Sequence, residues 1–406
     1  MSTLTDSGIP NGNSGIGPVL LVSPWYRPSI GGIVECVDTL RKYLVDAGVK
    51  TSVLVVEEQS TGFRLQPNPY AENVFELQIP SYFFYSRGFK APLAMIRRAP
   101  ATIWRVFRFL RSKRVRTVIL NYPSGYSWVF LLARYLLGVR LISSYLGNDI
   151  TKYKDQVPAM QWLTRRLLSN SDAVTVCGRH MFDMAQDLLP NHSLPIRLLP
   201  NCVDIHHFVP PPSNFQRNNT RPTLVHVSIF APKKRTLDII EAFAIADLHP
   251  ETRLIMVGEG SDLPAAKELA RRLGIEHRVE FVGGQKDVRA FLWQADLFVL
   301  ASEDEGAPLV LVEAMACGVP WVSTRWGVAA ELPPGECGLA VKSRTPKELA
   351  AALSELMKDP ERRALMGKQA RLRAQVELSG EAHLKRYLQL VEEVEAGKFI
   401  HAESKD

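Results

Sequence analysis

Apolar and polar positions along this chain fall into two series of short strands and amphipathic helices, with a polar, proline-rich stretch between them. The first series opens on Val19-Leu20-Leu21-Val22-Ser23, an apolar run of strand length, followed by a loop from Pro24 to Gly32. Val34 to Ala47 then places Val34, Val37, Leu40, Tyr43 and Leu44 on one helical face, and Gly48 stops it. Thr51 to Val56 reads as the next strand. A strand, a glycine-bearing loop, a helix and a strand in that order begin a doubly wound parallel sheet. Thr117 to Leu120, a helix over Gly125 to Leu137 and a strand over Arg140 to Ser144 continue it. Between them, Ala91 to Arg116 mixes bulky apolar residues with arginines, and Pro92 and Pro100 are expected to limit its helices.

The second series begins at Leu224. Strands are expected at Leu224 to Ser228, Arg253 to Val257, Val279 to Val282, Leu297 to Leu300 and Trp321 to Thr324. Helices fall at Leu237 to Ala246, Leu263 to Leu273 and Val288 to Ala295, which makes a second parallel sheet with helices between its strands. A last amphipathic helix covers Glu381 to Glu395. At 406 residues the chain exceeds one ordinary core, so two domains are expected: 17–208 and 223–380, after a Ser- and Gly-rich tail over 1–16 and on either side of a linker over 209–222.

Composition narrows the class. Apolar residues at 46% and charged residues at 22% are those of a soluble globular protein. The first sixteen residues have neither a basic nor an apolar signal region, and the longest apolar run, Trp128 to Leu137, contains Arg134. A cytoplasmic protein with a disordered tail is the expectation. Five scattered cysteines in no metal-like spacing read as buried thiols, and no Asp-x-Asp metal site stands out. The net charge of +7 is uneven: between Glu76 and Asp149 there is no acidic residue, against twelve basic ones. Such an excess implies an anionic partner. A solvated helical face over a core explains the same pattern, as does docking on anionic lipid headgroups. No nucleic-acid recognition motif accompanies the charge.

The most informative stretch is Ser302 to Pro320, SEDEGAPLVLVEAMACGVP. It follows an apolar strand and reads as a tight loop and then a helix, with Pro308 in the first turn, Gly318 near the C-cap and Pro320 beyond. Glu305 then lies in the loop and Glu313 midway along the helix, up to ~12 Å apart at ~1.5 Å per residue. The helix N-terminus between them is a natural seat for an anion. Two acceptors flanking a phosphate seat match a sugar, a diphosphate and a ribose laid end to end. A capped helix with a solvated glutamate is the plainer explanation of Glu313 taken alone.

The Glu-x7-Glu pattern of EGAPLVLVEAMACGVP resembles the donor-site signature of glycosyltransferase family 4, retaining enzymes of GT-B architecture. The resemblance covers roughly residues 17 to 395 and implies two Rossmann-like domains with the donor nucleotide in the cleft between them. The 17–208 domain would be the acceptor side, rejoined by the helix at 381–395, and the 223–380 domain would hold a UDP- or GDP-sugar. By resemblance, Glu305 holds donor-sugar hydroxyls, Glu313 the ribose, and the N–H groups of Gly306, Ala307, Leu309 and Val310 face the phosphates. Gly31 and Gly32 match a glycine pair that meets the donor phosphate, although a simple turn accounts for them as well. Gly283 and Gly284 stand at the level of the nucleobase, and Lys234 matches the phosphate-binding lysine. Arg235 is the candidate to replace an upstream arginine, because Ile229, Phe230 and Ala231 occupy that stretch. In Tyr145-Leu146-Gly147-Asn148-Asp149, Leu146 stands where the family commonly has histidine, and Asp149 matches but would serve equally as a helix cap.

The resemblance implies a metal-independent hexosyltransferase without a resident cofactor, with Glu305 and Lys234 carrying the chemistry. A lipid-linked oligosaccharide acceptor at the inner membrane face would suit the basic region. Leu146 and the missing arginine also suit a rival, a non-catalytic sugar-nucleotide or glycan-binding partner of an active transferase. A dinucleotide-dependent dehydrogenase would need Gly-x-Gly-x-x-Gly after the first strand, and PWYRPSIGG does not supply it.

Overall fold

The computed structural model describes residues 15–29, 31–58, 64–79, 91–189, 196–216, 221–303, 305–342 and 345–398, the side chains of 91–97 excepted. The chain divides into two compact units, one of Met1–Pro200 with Gly380–Asp406 and one of Asn201–Ser379. The boundary therefore lies ahead of the proline-rich stretch. That stretch is held inside the second unit, where Trp293 Nε1 donates to Val209 O at 2.7 Å and the indole meets Phe215 edge-on. Residues 1–14 and 217–220, parts of the expected tail and linker, lie outside the described residues, whereas Ile16 already packs on the first core.

The first unit is built on β1 (Val19–Ser23), β2 (Thr51–Glu58), β3 (Arg64–Pro67), β4 (Val74–Ile79), β5 (Thr117–Asn121), β6 (Arg140–Tyr145), β7 (Ala173–Val176) and β8 (Ile196–Leu198). They lie in the order β3-β4-β2-β1-β5-β6-β7-β8, parallel except for β3 against β4. Strand order reverses between β1 and β5. Its helices are α1 (Gly32–Asp46), α2 (Ala91–Ser112), α3 (Trp128–Leu137), the single turn α4 (Asn148–Thr151), α5 (Pro158–Asn170) and α6 (Arg179–Asp187). Helices α2, α3 and α5 cover one face, burying Val106, Phe109, Phe130 and Leu163 against Leu20, Val22 and Leu120.

Contrary to expectation, α2 is one helix of 22 residues with Pro100 inside it. Proline removes one backbone bond there, but the apolar face through Val106, Phe109 and Leu110 is buried and holds the helix to the sheet. Pro92 falls in the first turn, where a missing N–H is tolerated. On the other face lie α1 and the C-terminal helix Gly380–Glu395, which belongs to this unit. Its Leu384, Tyr387, Leu390, Val391 and Val394 are buried, each worth about 1.5–3 kcal/mol of apolar transfer as an upper bound. Gly380 lies so close to Tyr43 that an added Cβ would come within 2.1 Å of its ring. At the far end the Glu395 carboxylate accepts from Gly17 N at 3.1 Å and Thr117 Oγ1 at 2.9 Å.

The second unit holds β9 (Thr223–Val227), β10 (Arg253–Val257), β11 (Val279–Gly283), β12 (Leu297–Leu300), β13 (Trp321–Thr324) and β14 (Gly338–Val341). All are parallel, in the order β11-β10-β9-β12-β13-β14, the arrangement of a doubly wound nucleotide-binding sheet. Its helices are α7 (Thr236–Ile245), α8 (Leu263–Arg272), α9 (Arg289–Leu292), α10 (Leu309–Ala316), α11 (Val328–Glu331), α12 (Pro346–Met357) and α13 (Pro360–Val376). The helix expected over Val288 to Ala295 is the single turn α9. Apolar clusters fill both faces of this sheet.

Candidate functional site

In an open α/β sheet the carboxyl ends of the strands form a crevice where the strand order reverses. In the second unit that point lies between β9 and β12, since β9 pairs with both β10 and β12. The loops leaving these two strands carry Lys234 and Glu305. Their backbones are joined where Glu303 N donates to Lys233 O at 2.7 Å. Their side chains are joined by Lys234 Nζ donating to Glu305 Oε1. Lys234 is 18% and Glu305 12% exposed, so the pair is largely desolvated yet still reachable. The structure thus brings the two residues assigned to the chemistry into direct contact.

Helix α10 begins just beyond Glu305. Pro308 is its N-cap rather than its first helical residue, and Asp304 lies outside the described residues. The preceding loop is clamped from two sides: Asn201 Nδ2 donates to Ala307 O at 2.9 Å, and Gly327 stands against it in the left-handed region (φ 53°). A Cβ on Gly327 would come within 2.8 Å of Gly306 O. Ala307 is itself buried. Leu311, Val312, Ala314, Met315 and Ala316 are all buried, leaving Leu309, Val310 and Glu313 half-buried on one side. Glu305, ahead of the buried Gly306 to Pro308, is likewise only partly buried. The helix ends in a Schellman motif at Gly318 (φ 76°), Val319 N donating to Ala314 O and Gly318 N to Met315 O. Burial, with the Glu313 carboxylate nearby, pushes the Cys317 thiol up to about 12, so it stays protonated.

The other residues expected on the donor side lie along the same edge. Arg235 occupies the left-handed region (φ 50°) at the start of α7, and its Nε donates to Asp238 Oδ2 at 2.5 Å. Its guanidinium is thereby held at the helix start. Gly283 (φ 73°) and Gly284 end β11, where Gly284 N donates to Glu259 Oε1 at 3.0 Å. Glu259 is flanked by Gly258 and Gly260, whose added Cβ atoms would fall 1.8 Å from Ser228 O and 2.2 Å from Phe230 O. The loops after β9 and β10 therefore touch backbone to backbone. Sequence reasoning assigns no site role to Asn201, Gly327 or Glu259. The glycine-glutamate-glycine spacing was the available signal.

Gly31, Gly32 and Asp149 belong to the first unit. Gly31 (φ 156°) precedes α1, which starts at Gly32. The loop before them is fixed by buried Asp38, which accepts from Tyr26 Oη at 2.5 Å and Arg27 Nε at 3.1 Å and pairs with Lys42 at 3.1 Å. Burial alone would raise its carboxyl, but the bonds from Tyr26, Lys42 and Arg27 hold it at about 2. Asp149 does not cap α4. Its carboxylate reaches back to accept from Gly147 N at 2.7 Å and Leu146 N at 3.0 Å, and burial raises its pKa to about 7. Within this unit a cavity of about 420 Å³ opens at the carboxyl ends of β1, β2 and β5. Trp25, Arg27, Glu57, Glu58, Glu76 and Tyr122 line it, and the Trp25 and Tyr122 rings meet at 5.2 Å. Among the described residues no cluster of His, Cys, Asp and Glu is placed to hold a metal, and no helix is long and apolar enough to cross a membrane. None of the five cysteines is in a disulfide, and all but Cys36 are buried.

Comparison with known proteins agrees with this geometry. The family described as "Glycosyl transferases group 1" matches residues 212–373, and the "Glycosyl transferase 4-like domain" matches residues 31–202. The N-acetyl-alpha-D-glucosaminyl L-malate synthase of Bacillus anthracis is 30% identical over 267 residues, 62% of this chain and 68% of that protein. A GDP-mannose-dependent alpha-(1-6)-phosphatidylinositol monomannoside mannosyltransferase of Mycolicibacterium smegmatis is 28% identical over 299 residues, 69% of this chain and 77% of its own. Among solved structures, Anabaena HepE in complex with UDP has a TM-score of 0.72 at 20% identity, covering 92% of this chain and 99% of that one. With two doubly wound parallel sheets and both halves matched, this chain belongs to glycosyltransferase family 4 and has the GT-B fold.

Proposed function

We propose that this glycosyltransferase moves a sugar, with retention, from a UDP- or GDP-sugar to a lipid-linked oligosaccharide in the building of a surface polysaccharide. The observation that carries the reading is the Lys234–Glu305 pair, set across the switch point of the second sheet beside the start of α10. A departing diphosphate needs cationic and N–H partners fixed in advance. Lys234 and the amides of Gly306, Ala307, Leu309 and Val310 are candidates for both, without a metal or a resident cofactor. Glu305 would take sugar hydroxyls as Lys234 turns to phosphate, and Glu313 the ribose. In the step itself an acceptor oxygen bonds the anomeric carbon on the face from which the sugar–phosphate bond breaks. The acceptor's proton passes to the leaving phosphate oxygen. The relatives support both nucleotides: one is a GDP-mannose-dependent phosphatidylinositol monomannoside mannosyltransferase, and the HepE structure holds UDP.

The acceptor side is assigned to the first unit, which carries Asp149 and, as its concave feature, the Trp25–Tyr122 cavity. A lipid-borne acceptor is supported by the outer face of α2, α3 and α5. These three helices carry eight arginines and no acidic residue. Trp104 is 58% and Trp162 53% exposed there, each beside an arginine, Arg108 at 5.2 Å and Arg166 at 5.6 Å. Exposed tryptophans among arginines suit the headgroup layer of an anionic membrane, which would place the enzyme on the inner face of the cell membrane. Co-sedimentation with anionic vesicles tests this: binding at moderate salt is expected, and its persistence after Arg105/Arg108/Arg111→Glu would remove the membrane assignment.

The central experiment is nucleotide release. Purified chain with a lipid-linked acceptor should release UDP or GDP from one common sugar nucleotide. Release from none would favour the non-catalytic binding partner, a reading that Leu146 and the 64% exposed Ile229, where a phosphate-binding cation is absent, would then explain.

A further inference from the structure

His226 and Ser228 lie at the carboxyl end of β9, on the switch point that carries Lys234. His226 is fully buried with its ring stacked near Phe230, at 6.1 Å between centroids. Both ring nitrogens are engaged: Nδ1 lies 2.9 Å from Val299 O on β12, and Nε2 lies 2.7 Å from Ser228 Oγ. A carbonyl oxygen can only accept, so Nδ1 must carry a proton. Burial pulls the ring pKa down to about 4, and the Lys234 charge acts in the same direction, so near neutral pH the imidazole is neutral. Its Nε2 is then bare and can only accept. The Ser228 hydroxyl must therefore spend its single proton inward, on His226.

That fixes what Ser228 shows to the crevice. Ser228 is a half-buried residue, and its Oγ has only lone pairs left to offer a ligand. A phosphate oxygen, itself an acceptor, is repelled there, whereas a hydroxyl donating its proton is received. We propose that Ser228 is an acceptor-only contact for a hydroxyl of the bound sugar nucleotide, and that His226 is the positioning residue that sets its polarity. This rests on the donor-site reading of the second unit and adds a hydroxyl-reading position beside the Lys234–Glu305 pair. It also explains why a histidine is buried in the middle of this sheet: the ring bonds across to β12 beyond the last paired residues of the two strands, Val225 and Phe298, while directing a proton.

The test is calorimetric titration of the full chain with UDP-glucose, GDP-mannose, UDP, GDP and inorganic pyrophosphate. Ser228→Ala should weaken the sugar nucleotide or nucleotide that binds by about tenfold, one hydrogen bond lost, and leave pyrophosphate unchanged. His226→Asn keeps a donor near Val299 O but no longer accepts from Ser228, and should show the same selective loss. Because His226 acts through Ser228, the double variant should be no weaker than either single one. Additive losses, or a Ser228→Ala change below twofold, would overturn the proposal. Ser228→Thr retains the hydroxyl and should bind as wild type, which decides the matter where His226→Asn unfolds. If wild type binds none of the four nucleotide probes, the donor-site reading falls and takes this inference with it. Binding that ignores Ser228 removes this inference alone.

Discussion

The two sheets reverse strand order in the same way, yet they arm the reversal differently. At the β9–β12 point of the second unit the two loops meet through a lysine and a glutamate that solvent still reaches. At the β1–β5 point of the first unit they meet through the rings of Trp25 and Tyr122, and the arginine beside them is drawn into the loop's own ion pairs. Arg27 is paired with Asp38 and Glu35, and Asp38 is buried under bonds from its own loop and helix. Asp149, on the loop after β6, likewise serves backbone amides. One topology therefore uses charge in two ways. In the first unit the Asp38 charge holds its loop in place, and in the second an ion pair stays within reach of solvent, as the proposed donor site requires.

The largest expected effect breaks or upholds the second half of that contrast. Glu305→Ala should lower turnover by roughly 100-fold or more, on the order of 3 kcal/mol of transition-state stabilisation. Its thermal midpoint should move little, because Lys234 can reach solvent once unpaired. Lys347→Ala, exposed at the start of α12, is the control and should leave turnover unchanged. Equal effects of the two substitutions would end the assignment of the site.

Asp38→Ala tests the first half. It strips a buried carboxylate from Tyr26, Arg27, Arg41 and Lys42, and should destabilise the first unit by about 3 kcal/mol in urea titrations. A destabilisation below about 1 kcal/mol, with turnover lost instead, would mean the charge serves a ligand after all.

Asp149 gives a smaller, pH-dependent signal. Its carboxyl rises from 3.8 to about 7 on folding, so the folded state holds the proton more tightly than the unfolded one. The associated stability is full at low pH and is lost as pH rises towards 7, by roughly 2 kcal/mol between pH 5 and pH 7. Asp149→Asn has no proton to release, so wild type should lose stability relative to it over that window and run parallel above it. A constant difference from pH 5 to pH 8 would show that Asp149 stays ionised.

How much of this was legible beforehand follows the range of the interactions. The α10 segment was readable because its signals are local: an apolar strand, a small-residue loop, a helix and a glycine stop within about twenty residues. The direct contact of Lys234 with Glu305 was not, since it depends on β9 lying beside β12, a pairing between strands some seventy residues apart. Asn201 reaches Ala307 across 106 residues, and Glu259 lies over Gly284 only because β10 pairs with β11. Strand β3 escaped notice because Arg64–Pro67 is polar, ends in proline and is largely exposed on the sheet edge. Pro100 misled because helix-breaking is a local rule, and α2 is held by burial along its length.

The smallest expected effect sharpens the comparison at Arg235. This residue holds a left-handed backbone that L side chains adopt at a cost of roughly 1 kcal/mol, which glycine would not incur. Its ion pair with Asp238 is partly exposed and returns at most about 1 kcal/mol. Arg235→Gly should therefore leave stability almost unchanged, the relieved strain offsetting the lost pair. Were the guanidinium only a loop anchor, as Arg27 is in the first unit, turnover would stay level as well. A phosphate contact predicts otherwise: turnover falls by about tenfold, and affinity for pyrophosphate falls with it. Unchanged stability with unchanged pyrophosphate affinity would place Arg235 with the anchoring charges and leave Lys234 as the phosphate cation of the β9 loop.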